Sequence, residues 1–271
     1  MRKLASRIRL CVVNEEQVKF SSSPDAGISM PASLAGETAI ITGGSRGIGF
    51  AVAEALAKLG IEVLIISQNS ENLTKAITKL TTQGFKAHGF QADVSNATQM
   101  EKVGAEILNK FIPTILVNSA GVMSEKTAKT LKTTSLEWQR VMGINLEGVF
   151  NSVRIFAPVM VEKRNGRIIN LSACLGRFSG PGTNGGLAPY RISKTGVNAL
   201  TKNFAAETGN GTRGILVDAV CPGHCQTDMG GPLAPRTSEQ GAETVLWLAS
   251  REMTNGIQTG LLWEDKTIVP W

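Results

Sequence analysis

The sequence predicts an α/β protein, a doubly wound parallel β-sheet with helices on both faces. Three observations predict it. Short apolar runs of strand length alternate with helical segments along most of the chain. The first such unit, residues 39–59 (AIITGGSRGIGFAVAEALAKL), joins an apolar strand to a helix through Gly43, Gly44, Gly47 and Gly49. The composition, 42% hydrophobic and 18% charged over 271 residues, is that of a globular chain with enough length for one sizeable core.

Taken in order, residues 1–34 stand apart. Arg2, Lys3, Arg7 and Arg9 make a basic start, Ser21-Ser22-Ser23-Pro24 reads as a linker, and Met30 is an alternative start. We expect this extension to be disordered or peripheral. Cysteine usage points to a reduced, cytoplasmic setting, and Glu15, Glu16 and Asp25 argue against a mitochondrial targeting segment over the whole stretch, with targeting by the basic first ten residues as the alternative. Residues 35–271 form the expected folded domain. Strands are expected at 39–41, 61–67, 86–91, 113–117, 167–171, 215–220 and 261–263. Helices are expected at 70–83, 97–110, 135–163, 189–207 and 238–249, besides the one after the glycines. Pro158 is expected to kink the long helix or lie near its end.

Composition also excludes functions. Net charge is +6, but Lys and Arg are scattered, so no nucleic-acid surface is expected. No apolar run approaches the roughly 18 residues of a membrane span. His88 and His224 are the only histidines and no cysteine pair has C-x-x-C spacing, so no metal site is expected.

The strand, glycine turn and helix together make a phosphate cradle of the Rossmann-like type. The glycines let the backbone approach a pyrophosphate, and the helix N-terminus offers N–H groups to it. The end of the second strand, where an acidic residue would bind the ribose of NAD, holds Ser67-Gln68-Asn69. Arg46 in the turn can pair with a 2′-phosphate. Both features point to NADP, with NAD as the alternative. Further on, Lys194 follows Tyr190, the single tyrosine, at i+4, so the two share a helix face. An ammonium beside a phenol lowers its pKa from about 10, which suits a proton donor and acceptor. Ser172 at a strand end can hydrogen-bond the same substrate oxygen, and Asn145 can hold a water that links Lys194 to solvent.

Thr42-Gly43-x3-Gly47-x-Gly49, Asn118-Ser119-Ala120-Gly121, Asn145, Ser172, Tyr190-x3-Lys194 and Pro222-Gly223-x3-Thr227, in this order, resemble the short-chain dehydrogenases/reductases over residues 34–271. The run from Cys221 to Pro232, with Ser238 to Thr244 and Trp271, most resembles the carbonyl-reductase group. The resemblance implies an NADP(H)-dependent oxidoreductase that interconverts a carbonyl and an alcohol. Tyr190 would be the general acid/base, Lys194 would bind the nicotinamide ribose, Ser172 would hold the substrate oxygen and Asn145 would complete the relay. Gly43, Ser45, Arg46, Gly47, Ile48 and Gly49 would cradle the adenosine phosphates, and Asp93 and Val94 would contact adenine. Asn118, Ala120 and Gly121 would flank the adenosine ribose, while Pro222, Gly223, Cys225 and Thr227 would hold the nicotinamide.

This sequence also departs from the pattern. Ser119 and Gln68 replace the asparagine and arginine common there, and the Ser172–Tyr190 gap is several residues longer, giving a glycine-rich rim at 176–186. His224-Cys225-Gln226 replaces a Trp-Val-Arg run, with His224 expected at the surface. Cys174, Cys221 and Cys225 read as buried inert thiols, with oxidation sensing as the alternative. The segment between Thr227 and Ser238 is short, which leaves an open cleft lined by Met123, Cys174, Leu175, Leu187 and Met229 for a bulky or varied substrate. Two rival functions are a 3-oxoacyl thioester reductase, its basic surface attracting an acidic carrier protein, and a non-catalytic dinucleotide sensor. Assembly is expected as a homodimer or homotetramer through the helices at 135–163 and 189–207, with a monomer as the alternative.

Overall fold

The computed structural model describes residues 34–125, 128–254 and 256–271. The readings made for residues 1–33 lie outside them. The elements run β1 (Thr38–Thr42), α1 (Gly47–Lys58), β2 (Glu62–Ser67), α2 (Ser70–Thr82), β3 (Ala87–Gln91), α3 (Ala97–Leu108) and β4 (Ile115–Asn118). They continue with α4 (Ser135–Met142), α5 (Gly148–Lys163), β5 (Gly166–Leu171), α6 (Ala188–Glu207), β6 (Ile215–Val220), α7 (Ser238–Ala249), β7 (Leu262–Glu264) and β8 (Thr267–Ile268).

The strands form one sheet in the order β3-β2-β1-β4-β5-β6-β7-β8, parallel except for the β7–β8 hairpin. Strands β1, β4 and β6 are buried along their whole length, as expected when helices cover both faces. Ile40, Leu64, Leu116, Ile168 and Val217 point to one face and pack with Met100 of α3, Phe156 and Met160 of α5 and Val197 of α6. Helices α1 and α7 pack together on the rest of the sheet. Strand order reverses between β1 and β4, so the loops leaving their carboxyl ends diverge and open a crevice there.

Local sequence explains the helix starts. Asn69, Asn96 and Thr134 cap α2, α3 and α4, each accepting a first-turn backbone N–H. Thr237 and Gln240 form a capping box on α7. Each cap contributes about 1 kcal/mol. Helix α1 has no side-chain cap.

Two elements differ from expectation. The long helix at 135–163 is interrupted by a π-helical turn, Gly143–Glu147, while Pro158 lies near the end of α5, one of the two placements expected for it. Such turns are frequent at functional sites, and this one carries Asn145. Strand β8 was not expected. Its hairpin turns on Asp265 and Lys266, both at positive φ (50° and 61°). A two-residue primed turn normally announces itself with Asn-Gly or Asp-Gly, and a lysine there gives no such signal. Among the described residues, no helix is long and apolar enough to cross a membrane.

Candidate active site

A cleft of about 640 Å³ lies over the carboxyl ends of β1, β2, β4 and β5. Its first wall is the glycine turn. Gly43 has φ 66°, and a Cβ on it would lie 2.7 Å from the Ala120 Cα, so only glycine lets the turn close on the β4 loop. A Cβ on Gly49 would sit 2.4 Å from the Gly43 carbonyl oxygen. Replacing Gly43 by Ala therefore forces a left-handed alanine against backbone. The expected result is a loss of about 1–3 kcal/mol, read as a lower Tm, together with weaker dinucleotide binding by fluorescence titration. An unchanged Tm would show that the turn relaxes freely.

Around this turn, the Ser45 and Ser67 hydroxyls hydrogen-bond at 2.8 Å and join it to the end of β2. Arg46 Nη1 pairs with Asp228 Oδ2 at 2.5 Å, both side chains exposed. Gln68 Nε2 donates to Asp93 Oδ2 at 2.9 Å, and the other Asp93 oxygen accepts the Ser95 N–H and hydroxyl. The cleft is lined by Gly43, Ser45, Arg46, Gly47, Ile48, Gly49, Asp93, Val94, Ala120, Gly121, Pro222 and Thr227, together with Ser172, Tyr190 and Lys194. An extended slot with a glycine turn, an uncapped helix start and a flanking guanidinium fits a dinucleotide.

Three expected cofactor residues stand elsewhere. Asn118 is buried and its Nδ2 donates to Asn170 Oδ1 at 2.8 Å, while Asn170 donates to Thr201, so this chain ties β4 and β5 to α6. Cys225 is buried with its thiol donating to the Pro222 carbonyl, and a Cβ on Gly241 of α7 would meet its sulfur at 2.5 Å. It faces α7 and does not line the cleft. Gly223, at φ 75°, lies against Arg236 and is likewise outside the lining. In the other direction, Asn69, Asn72, Gln226 and Ser238 line the cleft without having been read as binding residues. They are short polar residues at helix starts and loops, a pattern without a distinguishing sequence signal.

The second wall is the corner that holds the Tyr190–Lys194 pair. Helix α6 begins at Leu187, whose φ is 51°, with Pro189 in its first turn. Tyr190 is buried with Val141 and Ala173, against Met123, Leu175 and Leu187. Its backbone N–H donates to the Ser124 hydroxyl at 2.8 Å. Lys194 Nζ lies 5.9 Å from the Tyr190 ring centre and donates to the Leu171 carbonyl at 2.7 Å. Burial lowers the Lys194 pKa to about 8. Burial pushes the Tyr190 phenol above its usual range, opposite to the lowering expected from its lysine neighbour. The ring is enclosed on nearly all sides, so desolvation of the phenolate sets the direction.

Ser172 and Asn145 are also in the corner, held by protein partners. The Ser172 hydroxyl donates to the Lys194 carbonyl at 3.2 Å. Asn145 accepts the Val122 N–H at 2.8 Å and donates to the Val122 carbonyl and the Ser193 hydroxyl. Its side chain fixes the loop after β4, and a Cβ on Gly121 would lie 3.4 Å from Asn145 Oδ1 and 3.6 Å from Lys194 Nζ. The glycine-rich rim is tied down: Arg191 donates to the carbonyls of Pro181 and Gly182, and Arg177 and Ser179 donate to that of Pro270. Cys174 packs against the Ala219, Cys221 and Leu262 cluster, apart from the Met123, Leu175 and Leu187 group. His224 is exposed, its ring 2.8 Å from the Gly230 carbonyl. Among the described residues, no cluster of three or more His, Cys, Asp or Glu is placed to hold a metal ion.

A parallel sheet with a glycine-turn cleft at its switch point and a Tyr–Lys pair on one helix define a dinucleotide-dependent oxidoreductase. The family model for the short chain dehydrogenases matches residues 37–238, and the chain belongs to that family. It is 35% identical over 206 residues to the 3-oxoacyl-[acyl-carrier-protein] reductase FabG of Staphylococcus aureus (strain MW2), covering 75% of this chain and 80% of that one. It is 35% identical over 198 residues to the 3-oxoacyl-[acyl-carrier-protein] reductase of Synechocystis sp., covering 72% and 77%. Among solved structures, a Brucella melitensis 3-oxoacyl-[acyl-carrier protein] reductase with bound NAD matches with a TM-score of 0.76 at 25% identity, covering 92% of this chain and 96% of that one. A dehydrogenase/reductase from Sinorhizobium meliloti 1021 matches with a TM-score of 0.74 at 30% identity, covering 86% and 94%.

Proposed function

We propose that the protein is an NADPH-dependent reductase of 3-oxoacyl thioesters, converting the 3-oxo group to a hydroxyl. The observation that carries the chemistry is the buried Tyr190–Lys194 pair opening onto the same cleft as the glycine turn. The thioester class rests on the curated relatives named above. It was the rival reading of the sequence, and it replaces a general carbonyl reductase as the first reading. A general reductase is kept as the second reading, because the short stretch between Thr227 and Ser238 leaves the cleft open and Met229 is exposed at its edge.

A bound nicotinamide dinucleotide would supply the hydride. The Tyr190 hydroxyl gives its proton to the substrate oxygen, and its raised pKa keeps that proton in place until charge develops there. The Lys194 ammonium then stabilises the phenolate left behind. Lys194 is charged below about pH 8 and neutral above it. kcat/KM for reduction should therefore fall as pH rises through this value, since kcat/KM reports groups of the free enzyme. A profile flat across that range would remove Lys194 from the acid step.

Arg46 gives the preference for NADPH, supported by the absence of an acid at Ser67-Gln68-Asn69. Arg46→Ala should raise the NADPH Kd by about tenfold, the worth of one charge-assisted bond, and leave that for NADH nearly unchanged. Equal losses for both cofactors would sink the assignment. The reading as a whole is tested by NADPH oxidation against 3-oxoacyl thioesters, ketones, aldehydes and quinones. Turnover of thioesters above the rest supports the first reading, and broad turnover of free carbonyls moves it to the second.

A further inference from the structure

We infer that Cys174 and Cys221 form a peroxide-reactive dithiol site beside the cleft, which closes to a disulfide and slows turnover. The two residues leave neighbouring strands. Leu171 of β5 pairs in register with Val220 of β6, so the chain just past each strand end lies side by side. The Cys174 backbone N–H donates to Cys221 Sγ at 3.0 Å. That contact places one sulfur against the other residue's main chain, within the reach of a disulfide's short Cβ–S–S–Cβ link. Both are free thiols.

Their settings are complementary. Cys174 is half-buried in the turn Cys174–Gly176, while Cys221 is fully buried beneath it. The neighbouring Cys221 sulfur and the charge of Arg177 lower the Cys174 pKa, against burial and the Glu264 carboxylate, which accepts from the Cys221 thiol at 3.5 Å. The Cys174 neighbour, together with burial, pushes Cys221 up. The accessible residue is thus the readier nucleophile and the buried one the resolving thiol. Cys174 is not the inert buried thiol that its sequence context suggested.

The chemistry balances with one peroxide. The Cys174 thiolate attacks a peroxide oxygen, the O–O bond breaks, and hydroxide leaves to become water, giving a sulfenic acid. The Cys221 thiol loses its proton and attacks that sulfur; the S–S bond forms, the S–O bond breaks, and the oxygen leaves as a second water. Peroxide is reduced and the two thiols are oxidised.

The link would tie together the two strand ends that carry Ser172 and Pro222, both in the cleft lining. It would also pull on Leu175, which packs against Tyr190. The effect on turnover rests on the proposed Tyr190 chemistry, whereas the crosslink does not.

The test treats the full chain with hydrogen peroxide and maps its peptides without reduction. The expected product is one linked pair of peptides, bearing Cys174 and Cys221, short of two hydrogens and separated by dithiothreitol. NADPH-dependent carbonyl reduction should fall by about tenfold, the rate equivalent of ~1.4 kcal/mol, and return with the reductant. In Cys221→Ser, dimedone should trap a sulfenic acid on Cys174; in Cys174→Ser, Cys221 should stay unlabelled. Linkage through Cys225, or oxidation of Cys174 to sulfinic acid without a link in the unaltered chain, overturns the dithiol site even if a variant fails to fold. A link with unchanged turnover overturns the control of activity. If the untreated protein reduces no carbonyl, the proposed function fails while the peptide map still judges the dithiol.

Discussion

Tyr190→Phe is expected to lower carbonyl reduction by about 10²–10⁴-fold, the usual worth of a positioned general acid, with NADPH binding retained. Phenylalanine keeps the ring that packs against Met123, Leu175 and Leu187 and loses only the hydroxyl. The backbone N–H bond to Ser124, which seats the first turn of α6, is also kept. The variant therefore separates chemistry from folding. Steady-state kinetics with a fluorescence titration of NADPH measures both. Unchanged turnover would refute proton donation by Tyr190, and lost binding with a lowered Tm would mean that the hydroxyl serves the fold. Because Tyr190 is the single tyrosine, an absorbance titration of the native protein reads this one phenol. It should ionise above the usual value near 10.

The same residue shows where sequence reading stops. Tyr-x3-Lys fixes a shared helix face, and the structure places both groups at the cleft. The sign of the tyrosine shift was not legible, because it depends on how completely the rest of the fold encloses the ring. The strand–glycine–helix unit and the alternation behind the parallel sheet were legible, since local spacing carries them. Asn118, Cys225 and Gly223 show the converse. Each was placed by motif, yet the chain at the end of a strand can present its groups to a neighbouring strand, to α7 or to the cleft. That choice is made by residues far away in sequence: Asn170 for Asn118, Gly241 for Cys225 and Arg236 for Gly223. Asn145 was legible as a relay residue that holds a water, but its partners, Val122 and Ser193, come from two other segments. The π-helical turn around it has no propensity signal at all.

Arg251→Met is expected to destabilise the protein by about 3–5 kcal/mol, the usual cost of removing one partner of a buried ion pair. Arg251 Nη1 lies 2.9 Å from Asp218 Oδ2, with side-chain exposures of only 10% and 3%. The guanidinium also stands 5.4 Å and 5.1 Å from the ring centres of Trp247 and Trp263. Asp218 sits in the otherwise apolar strand β6, and its partner stands 33 positions further on. The indole N–H of Trp263, the Leu261 N–H and the Thr259 hydroxyl also donate to its carboxylate. These bonds leave its charge uncompensated once Arg251 is gone. Burial already raises the Asp218 pKa above the ordinary carboxylate value of 3.8, and loss of the guanidinium would raise it further. The folded variant would then bind a proton at a pH where the unfolded chain does not. Its deficit should therefore shrink as pH falls towards the raised value and be largest at neutral pH and above. Urea denaturation at several pH values measures this. Adding Asp218→Asn should restore part of the loss at neutral pH, because the amide removes the stranded charge while keeping an oxygen for the Trp263 N–H. A single-variant loss below about 1 kcal/mol, the scale of an exposed pair, would mean that water reaches the carboxylate. In that case the packing of Trp247 against Trp263, 4.9 Å apart, holds this edge of the sheet without the ion pair.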